Sequence, residues 1–99
     1  MSKFYDIIKN DIPTLVDFYA TWCGPCKTMQ PVLEDLKKHF GEKLRVLKID
    51  VDKNQQLAEQ LKIRGVPTFI LFKSGEKQWR ESGAYSLNQL ISMVKPHIM

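Results

Sequence analysis

The chain has 99 residues, of which 43% are hydrophobic and 26% charged, so it suits one folded domain over residues 1–99 and is neither disordered nor fibrous. Its formal net charge is +4, and its 15 Lys and Arg residues are scattered along the chain, which argues against a nucleic-acid-binding protein. No apolar run approaches the ~20 residues of a membrane span, and the start lacks the apolar run of a signal peptide. We therefore expect a monomeric cytoplasmic protein that binds neither nucleic acid nor membranes.

The first half of the chain predicts a helix, a strand and a second helix. Residues 4–9 have apolar side chains at helical spacing, whereas residues 14–20 form an almost unbroken apolar run, typical of a central strand covered on both faces. The next helix begins near Pro25, which suits a first helical turn, and ends at Gly41. Pro31 lies within its apolar pattern, and we expect a kink there.

The second half predicts a strand, a helix, a hairpin and a final helix. These are a strand over residues 44–51, a short helix capped within residues 52–54, two strands over residues 68–72 and 77–82, and a last helix that Ser86 caps. Because a helix joins the first two strands, these strands should be parallel, with a right-handed crossover. The order β-α-β-α-β-β-α after a short leading helix predicts an α/β fold.

Cys23 and Cys26, the only two cysteines, stand between the predicted first strand and the helix after it, with Gly24 and Pro25 between them. Positions three apart on a helix are neighbours, so the pair can form a disulfide with little rearrangement. Cys23 lies just before the helix, where unpaired N–H groups and the helix dipole favour a thiolate, the attacking species in disulfide exchange. We therefore predict that Cys23 is the nucleophile and that Cys26, more shielded within the helix, resolves the mixed disulfide.

A cysteine pair can also form a structural disulfide or bind a metal ion. A structural disulfide here would close a very short loop in a reducing compartment, which disfavours it. A structural zinc site needs about four ligands, and His39 and His97, the only histidines, have no finger-like spacing to the cysteines. We therefore expect no metal site, and the position of the pair after a buried strand favours redox chemistry.

The residues around the cysteines closely resemble the active-site stretch of thioredoxins. The shared string WCGPCK comprises Trp22, Cys23, Gly24, Pro25, Cys26 and Lys27. The resemblance extends over residues 13–97 and includes Asp17, Pro31, Lys48, Asp50, Asp52, residues 64–68, Lys73, Gly75 and residues 83–84. It implies a thioredoxin fold, in which helices flank a central mixed sheet, and the activity of a thiol–disulfide oxidoreductase that reduces protein disulfides. The dipeptide Gly24-Pro25 resembles the reducing members, since oxidases and isomerases of this fold typically carry a His between their cysteines.

The resemblance also implies how the chain would be recycled. A thioredoxin reductase would reduce the Cys23–Cys26 disulfide, and NADPH would bind to that reductase, because this chain has no GxGxxG fingerprint. We therefore expect no bound cofactor besides the redox-active disulfide. Oxidised protein substrates, for example peroxiredoxin, methionine sulfoxide reductase or ribonucleotide reductase, would be the other partners. Electron transport and cell redox homeostasis would be the cellular role.

Two departures from the family pattern concern the sheet and one aromatic position. Only 16 residues precede Asp17, several fewer than is typical of the family. We therefore predict that the first family strand is missing or vestigial and that the central mixed sheet has four strands. Tyr19 stands where many relatives have Trp, and its ring should still pack beside the active site.

Two charged residues in the predicted strands are candidates for the proton chemistry. Asp17 is a carboxylate within an apolar strand, and burial should raise its pKa. The resemblance makes Asp17 the proton acceptor for Cys26, directly or through water, and an outward-facing Asp on a partly exposed strand is the alternative. Lys48 lies in the middle of the next strand and could pair with Asp17, which would moderate the burial penalty of the carboxylate. A solvated strand lysine is the alternative for Lys48.

Four further residues are expected to form a substrate groove with Trp22. The resemblance predicts a cis peptide bond before Pro67, facing the dithiol, although only ~5–6% of X–Pro bonds are cis in general. The backbone of Val66 could then pair with an extended substrate peptide. Gly65 and Gly83 would keep the groove flat, or they are ordinary turn residues. A partly exposed Trp22 would contact the substrate.

Three functions are compatible with this sequence. A general protein-disulfide reductase is the favoured one. A dedicated reductant of a single partner enzyme would use the same chemistry, whereas a binding module that serves as a scaffold in a complex would not need the dithiol. The intact WCGPCK string argues against a scaffold as the sole role.

Overall fold

Helices and strands alternate along residues 2–98, the part of the chain that the computed structural model describes. In chain order they are α1 (Ser2–Ile7), β1 (Thr14–Tyr19), α2 (Gly24–Phe40), a 3₁₀ turn (Gly41–Lys43), β2 (Arg45–Asp50), α3 (Gln55–Gln60), β3 (Thr68–Lys73), β4 (Glu76–Ser82), α4 (Leu87–Val94) and a second 3₁₀ turn (Lys95–His97). This order agrees with the prediction. The ends of the predicted strands deviate from the observed ones by at most about one residue, the usual uncertainty of an element boundary.

The sheet is mixed and has four strands within residues 2–98, in the order β2-β1-β3-β4. β1 runs parallel to β2, with Asp17 opposite Lys48, and antiparallel to β3, with Asp17 opposite Phe69. β3 and β4 form an antiparallel hairpin. The predicted parallel pair and the predicted hairpin are therefore confirmed, and α2 is the crossover between the parallel strands.

A short helix precedes β1 in place of a strand. Within residues 2–98 no strand lies before Thr14. The ring of Phe4 on α1 lies 6.4 Å from that of Phe18 and 5.8 Å from that of Phe72, so α1 covers one face of the sheet. The described residues thus contain no counterpart of the first family strand, as predicted, and β2 is an edge strand.

The helix α2 has signals at both of its ends. Cys23 is its N-cap residue, and Pro25 lies in its first turn. Gly41 follows its last residue with a φ of 58°, which lies in the left-handed region that favours glycine. The helix continues through Pro31, and the kink expected there stays a prediction.

The sheet separates two hydrophobic clusters. The cluster under α2 and α4 contains buried side chains of the helices and of alternate strand residues, namely Leu15, Met29, Leu33, Leu36, Leu44, Phe69, Leu71, Leu90 and Val94. The cluster under α1 and α3 contains Phe4, Ile8, Val16, Phe18, Leu57, Ile70 and Phe72. Successive residues of a strand point to opposite faces, so β1 contributes to both clusters. The same alternation directs the side chain of Asp17 to the α2 side, which positions it for the site.

The turn between β2 and α3 depends on Asp50. Its Oδ1 accepts hydrogen bonds from the backbone N–H groups of Asp52 and Lys53, at 2.9 and 3.3 Å. Asn54 occupies the N-cap position of α3, but its side-chain amide donates to the Asp50 carbonyl oxygen and makes no cap hydrogen bond. The helix cap therefore lies within residues 52–54, as predicted, but it has no side-chain cap hydrogen bond, because the Asn54 amide closes the preceding turn.

Candidate active site

The two cysteines lie between the carboxyl end of β1 and the first turn of α2, and they are joined as a disulfide with their Cα atoms 5.2 Å apart. Cys23 has an extended backbone, and its Sγ accepts a hydrogen bond from the backbone N–H of Cys26 at 3.1 Å. An N–H group aimed at sulfur and the positive end of the helix dipole both favour negative charge on that sulfur. Both residues are buried, with 4% and 2% of their surface exposed, so burial distinguishes them only slightly.

The loop before β3 faces the first cysteine. The peptide bond between Val66 and Pro67 is cis, and the carbonyl oxygen of Val66 lies 3.7 Å from Cys23 Sγ. Behind it, the Pro67 carbonyl oxygen accepts a hydrogen bond from the backbone N–H of Gly83 at 2.9 Å. Gly83 has a φ of 103°, which an L-amino acid with a side chain rarely adopts. A backbone surface therefore lies beside the sulfur, supported from the end of β4.

The surroundings of Gly65 show that this backbone surface is open on its outer side. A Cβ atom at Gly65 would meet no atom within 4 Å, so the backbone there is accessible to another chain. The Gly65 carbonyl oxygen accepts a hydrogen bond from the Thr68 hydroxyl at 2.6 Å, and that hydroxyl also contacts the Ser82 hydroxyl at 2.9 Å. These contacts hold the loop against the start of β3 and leave its outer side open.

Trp22 directly precedes Cys23 and is exposed beside the site. Of its surface, 69% is exposed, and its indole N–H donates to Asp52 Oδ2 at 2.9 Å. The sequence pointed to Asp52 only through the thioredoxin resemblance and a helix cap, and gave it no function in the site. The contact joins residues 30 apart in sequence, so only the folded chain shows that Asp52 orients the exposed indole ring.

Asp17 lies on β1, the strand that ends before the cysteines; it is completely buried, and within residues 2–98 neither of its carboxylate oxygens has a hydrogen-bond partner. Removal of the carboxylate from water raises the pKa of Asp17 to about 6, although the positive charge of Lys48 lowers it in part. Of the two sequence interpretations, the structure therefore agrees with the buried carboxylate and contradicts the outward-facing one. A carboxyl group that titrates near neutral pH can accept and release a proton under ordinary conditions.

Lys48 does not pair directly with Asp17. Its exposed ammonium group donates a hydrogen bond to Gln30 Oε1 on α2, and the carboxylate of Asp17 has no hydrogen-bond partner. The predicted moderation of the burial penalty by Lys48 is therefore present as a charge effect, without a hydrogen bond to the carboxylate, because the flexible lysine side chain reaches solvent and the Gln30 amide. Lys48 acts on Asp17 only through its charge.

A side cavity leads to the second cysteine. Its volume is about 380 Å³, and its lining includes Cys26, Lys27, Gln30 and Lys48, with Tyr19 at the end of β1. Tyr19 thus lines the cavity and also packs against the cluster of Ala20, Cys23 and Cys26. The cavity gives water a route to Cys26.

No group of three or more potential ligands among His, Cys, Asp and Glu could hold a metal ion within residues 2–98. His39 is exposed and packs edge-on against the ring of Phe40.

Over residues 2–98, no helix is both long enough and apolar enough to cross a membrane.

Reversible joining of a cysteine pair at the start of a helix is the chemistry of thiol–disulfide oxidoreductases, and this fold and disulfide place the chain in that class. The thioredoxin family model matches residues 1–96, and the chain belongs to the thioredoxin family. Dithiol–disulfide exchange through Cys23 and Cys26 follows from that membership and from the position of the pair.

Relatives from plants, bacteria and yeast agree with this assignment. The chloroplastic thioredoxin Y of rice is 44% identical over 95 residues, which cover 95% of this chain but only 56% of that protein. The thioredoxin of Rickettsia bellii is 38% identical over 94% of this chain and 89% of its own length. The oxidised mitochondrial thioredoxin 3 of Saccharomyces cerevisiae superposes with a TM-score of 0.87 at 37% identity, covering 96% of this chain and 88% of its own. The chain therefore spans about half the length of the plant relatives and most of the bacterial one.

Proposed function

We propose that this chain reduces disulfides in other proteins and that a thioredoxin reductase returns it to the dithiol form with electrons from NADPH. The observation that carries the proposal is the environment of Cys23 Sγ, which accepts the Cys26 N–H and lies 3.7 Å from the Val66 carbonyl oxygen. The N–H stabilises an attacking thiolate, and the exposed loop offers a place for the substrate backbone. Gly24 and Pro25 between the cysteines add no charge and no proton donor.

In the first step the Cys23 thiolate attacks one sulfur of the substrate disulfide. A mixed disulfide forms between Cys23 and that sulfur, and the other substrate sulfur leaves as a thiolate that takes a proton from solvent. In the second step the Cys26 thiol loses its proton and its sulfur attacks Cys23 Sγ. The Cys23–Cys26 disulfide forms, the remaining substrate thiolate leaves, and the substrate has gained two electrons.

Asp17 accepts the proton of Cys26 in the second step. The buried carboxylate has no hydrogen-bond partner that would compete for it, and its pKa of about 6 matches a base that works near neutral pH. The side cavity lined by Cys26 and Lys48 would let water carry this proton to solvent. Lys48 adjusts the base through its charge and makes no contact with the carboxylate.

The substrate lies in a groove between Trp22 and the loop before β3. An extended peptide pairs with the backbone of Val66, and the exposed indole ring covers one side of it. Pro67 holds this loop toward the disulfide, and the open backbone of Gly65 and the turn at Gly83 let the substrate approach closely. Oxidised forms of peroxiredoxin, methionine sulfoxide reductase or ribonucleotide reductase are suitable substrates.

The proposed setting is the cytoplasm, where the chain would carry electrons for redox homeostasis. Reduced glutathione and thioredoxin systems keep thiols reduced there, so a protein that donates electrons through a dithiol can be recycled. Fractionation of the source cells tests this setting: recovery of the protein in a membrane-enclosed compartment would contradict it.

Insulin reduction with NADPH and a thioredoxin reductase tests the proposed reaction. The wild-type chain should precipitate the insulin B chain and consume NADPH, and the Cys23→Ser variant should do neither. If the wild type shows no turnover while its own disulfide is reduced by the reductase, it is not a general reductase, and a single dedicated partner becomes the better interpretation.

The order of attack has its own test in the Cys26→Ser variant. Since this variant keeps the nucleophile and lacks the resolving thiol, it should accumulate mixed disulfides through Cys23. The matched Cys23→Ser variant should trap far less protein. Equal trapping by both variants would contradict the assigned roles.

The role of Asp17 has a separate test. The Asp17→Asn variant should slow the resolving step at neutral pH without slowing the first attack.

A further inference from the structure

The outer edge of β2 is an unpaired sheet edge. β2 is the last strand in the order β2-β1-β3-β4, and no strand within residues 2–98 pairs with its outer side. The backbone N–H groups of Arg45 and Val51 donate inward, to the carbonyl oxygens of Pro13 and Tyr19. In a strand paired parallel with its neighbour, residues of the other parity direct N–H and C=O to the opposite side. Hydrogen-bonding groups of β2 therefore point outward, ready for another strand.

The two edges of the sheet differ in their side chains. β4, at the other edge, has the sequence EKQWRES, and most of its residues are exposed, as expected for an edge that water covers. β2 has the sequence RVLKID, and Val46, Leu47 and Ile49 are only partly buried. Aliphatic side chains on both faces of an open edge are typical of a strand that accepts a partner.

A cleft lies on each face of β2. On the α1 side, a cleft of about 420 Å³ is lined in part by Phe4, Leu47 and Ile49. On the α2 side, a cleft of about 580 Å³ is lined in part by Leu33 and Val46. Because successive side chains of a strand point to opposite faces, a strand added beside β2 would place alternate side chains in the two clefts.

The charge around these clefts is mostly positive. Lys3 and Lys53 line the cleft on the α1 side, and Lys37, Lys38 and Lys48 line the cleft on the α2 side. Among the described lining residues, Glu34 alone brings a carboxylate. If a second copy of this chain docked here by the same edge, its lysines would face the lysines of the first copy and the two would repel each other. An acidic partner would be attracted.

We propose that the outer edge of β2 binds an extended segment of another protein, with acidic residues flanking alternating apolar ones, as an additional strand of the sheet. The two clefts hold the apolar side chains, and the lysines bind the flanking carboxylates. This docking surface shares Lys48 with the side cavity beside Cys26 but no residue with the Trp22–Val66 groove, so a docked partner leaves the groove free for a substrate disulfide.

A synthetic peptide tests this proposal directly. The probe alternates Val and Thr between terminal Glu residues, and binding is followed by amide chemical shifts and hydrogen exchange of the isotope-labelled protein. The Glu peptide should slow exchange at the backbone amides of Val46 and Lys48. The same peptide with Lys in place of Glu should bind at least about tenfold more weakly at low salt. A version N-methylated on the side facing β2 should not protect these amides.

Charge-reversal variants provide the matched control. Lys38→Glu combined with Lys53→Glu should weaken binding of the Glu peptide and strengthen binding of the Lys peptide. Lys77→Glu, on the exposed face of the other edge strand, should leave both unchanged. Insulin reduction should be unaffected in every variant, which separates failure of this proposal from failure of the proposed reductase.

Several outcomes would overturn the proposal. Equal binding of the Glu and Lys peptides would remove its electrostatic basis, and equal binding of the N-methylated peptide would remove strand pairing. Perturbation confined to Trp22 and Val66 would mean that the peptide uses the substrate groove. A concentration-dependent dimer that protects Val46 and Lys48 without peptide would assign the edge to a second copy of the chain.

Discussion

Asp17 shows how one residue can oppose stability and favour chemistry. Its carboxylate is completely buried and has no hydrogen-bond partner, which disfavours the ionised form and raises the pKa from 3.8 to about 6. The folded protein therefore holds this proton over a pH range in which the unfolded chain has lost it. It follows that the stability of the fold decreases as the pH rises through this range.

We therefore expect Asp17→Asn to stabilise the protein in a pH-dependent way. The free energy of unfolding should increase by up to about 3 kcal/mol above the folded-state pKa, and the gain should decline toward zero below the unfolded-state pKa. Urea denaturation of both proteins across this range measures the difference. A gain of the same size at every pH would show that the effect comes from packing rather than from ionisation.

Trp22 is the most exposed of the large hydrophobic side chains in the described chain, at 69%, against 40% for Ile12. If its indole ring contacts protein substrates, Trp22→Ala should lower kcat/KM for insulin by about tenfold. The kcat/KM for a small aromatic disulfide should change by less than about twofold. Ile12→Ala, before the opposite end of β1, is the matched control and should alter neither. Parallel losses with both substrates would place the effect on the cysteines instead.

The sequence predicted the residues of the site better than their contacts. The cysteines, Asp17 and Pro67 could be chosen because short motifs specify residue types and the strand pattern specifies burial. The pairing predicted for Lys48 acts on Asp17 only through charge, because a long side chain has many rotamers and the Gln30 amide competes for the ammonium group. The Trp22–Asp52 hydrogen bond depends on two loops meeting in the fold, which no local pattern shows.

At the scale of elements, predictions were most accurate where a helix end has a local signal. Ser86 accepts a hydrogen bond from the Gln89 backbone N–H at 3.1 Å, and the Gln89 side chain accepts one from the Ser86 backbone N–H at 2.8 Å. This reciprocal capping box is specified by residues three apart. At α3 the N-cap position is Asn54, within the predicted residues 52–54, but its side chain makes no cap hydrogen bond and its amide donates to the Asp50 carbonyl oxygen in the preceding turn.

Loss of the α4 cap should therefore have a measurable effect. Ser86→Ala removes the acceptor of one N–H group and should lower the free energy of unfolding by about 1 kcal/mol. Ser92→Ala, at an exposed position inside the same helix, should change it by less than about 0.5 kcal/mol. Thermal or urea denaturation of the three proteins measures the effect. Equal losses in both variants would contradict a specific role for the cap.

For the whole molecule, the sequence predicted part of the topology from the lengths of the connections. The helix between the first two strands indicated the parallel pair β1–β2, and the short turn after β3 indicated the hairpin β3–β4. The helix α3 joins β2 to β3, which run antiparallel because β1 is parallel to β2 and antiparallel to β3, so a connecting helix alone does not specify strand direction. Within residues 2–98 no strand precedes β1, which agrees with the prediction of a four-stranded sheet. The apolar and basic outer edge on β2 could not be read from the sequence, because it depends on which side chains of α1, α2 and α3 border the strand in space.

The arrangement of the core also determines how the molecule responds to reduction. Two buried clusters, one on each face of the sheet, contain side chains from every helix and from β1 and β3. The disulfide closes a loop between residues three apart, and a loop of that size restricts the unfolded chain by only about 2 kcal/mol. The clusters, rather than the disulfide, should therefore hold the fold together.

We accordingly expect the dithiol form to stay folded. Reduction should lower the free energy of unfolding by no more than about 2 kcal/mol. The far-ultraviolet circular dichroism spectrum should stay unchanged, because the Cys26 N–H keeps the Cys23 sulfur as its acceptor and the start of α2 is preserved. Urea denaturation with and without a reductant, at a pH where both thiols remain protonated in the unfolded chain, measures the difference. The Cys23→Ser, Cys26→Ser double variant is the control, since a reductant should not affect it. Loss of cooperative unfolding in the reduced protein would show that the disulfide, and not the core, maintains the fold. A chain that unfolds on reduction could not alternate between two folded redox states, as an electron carrier must.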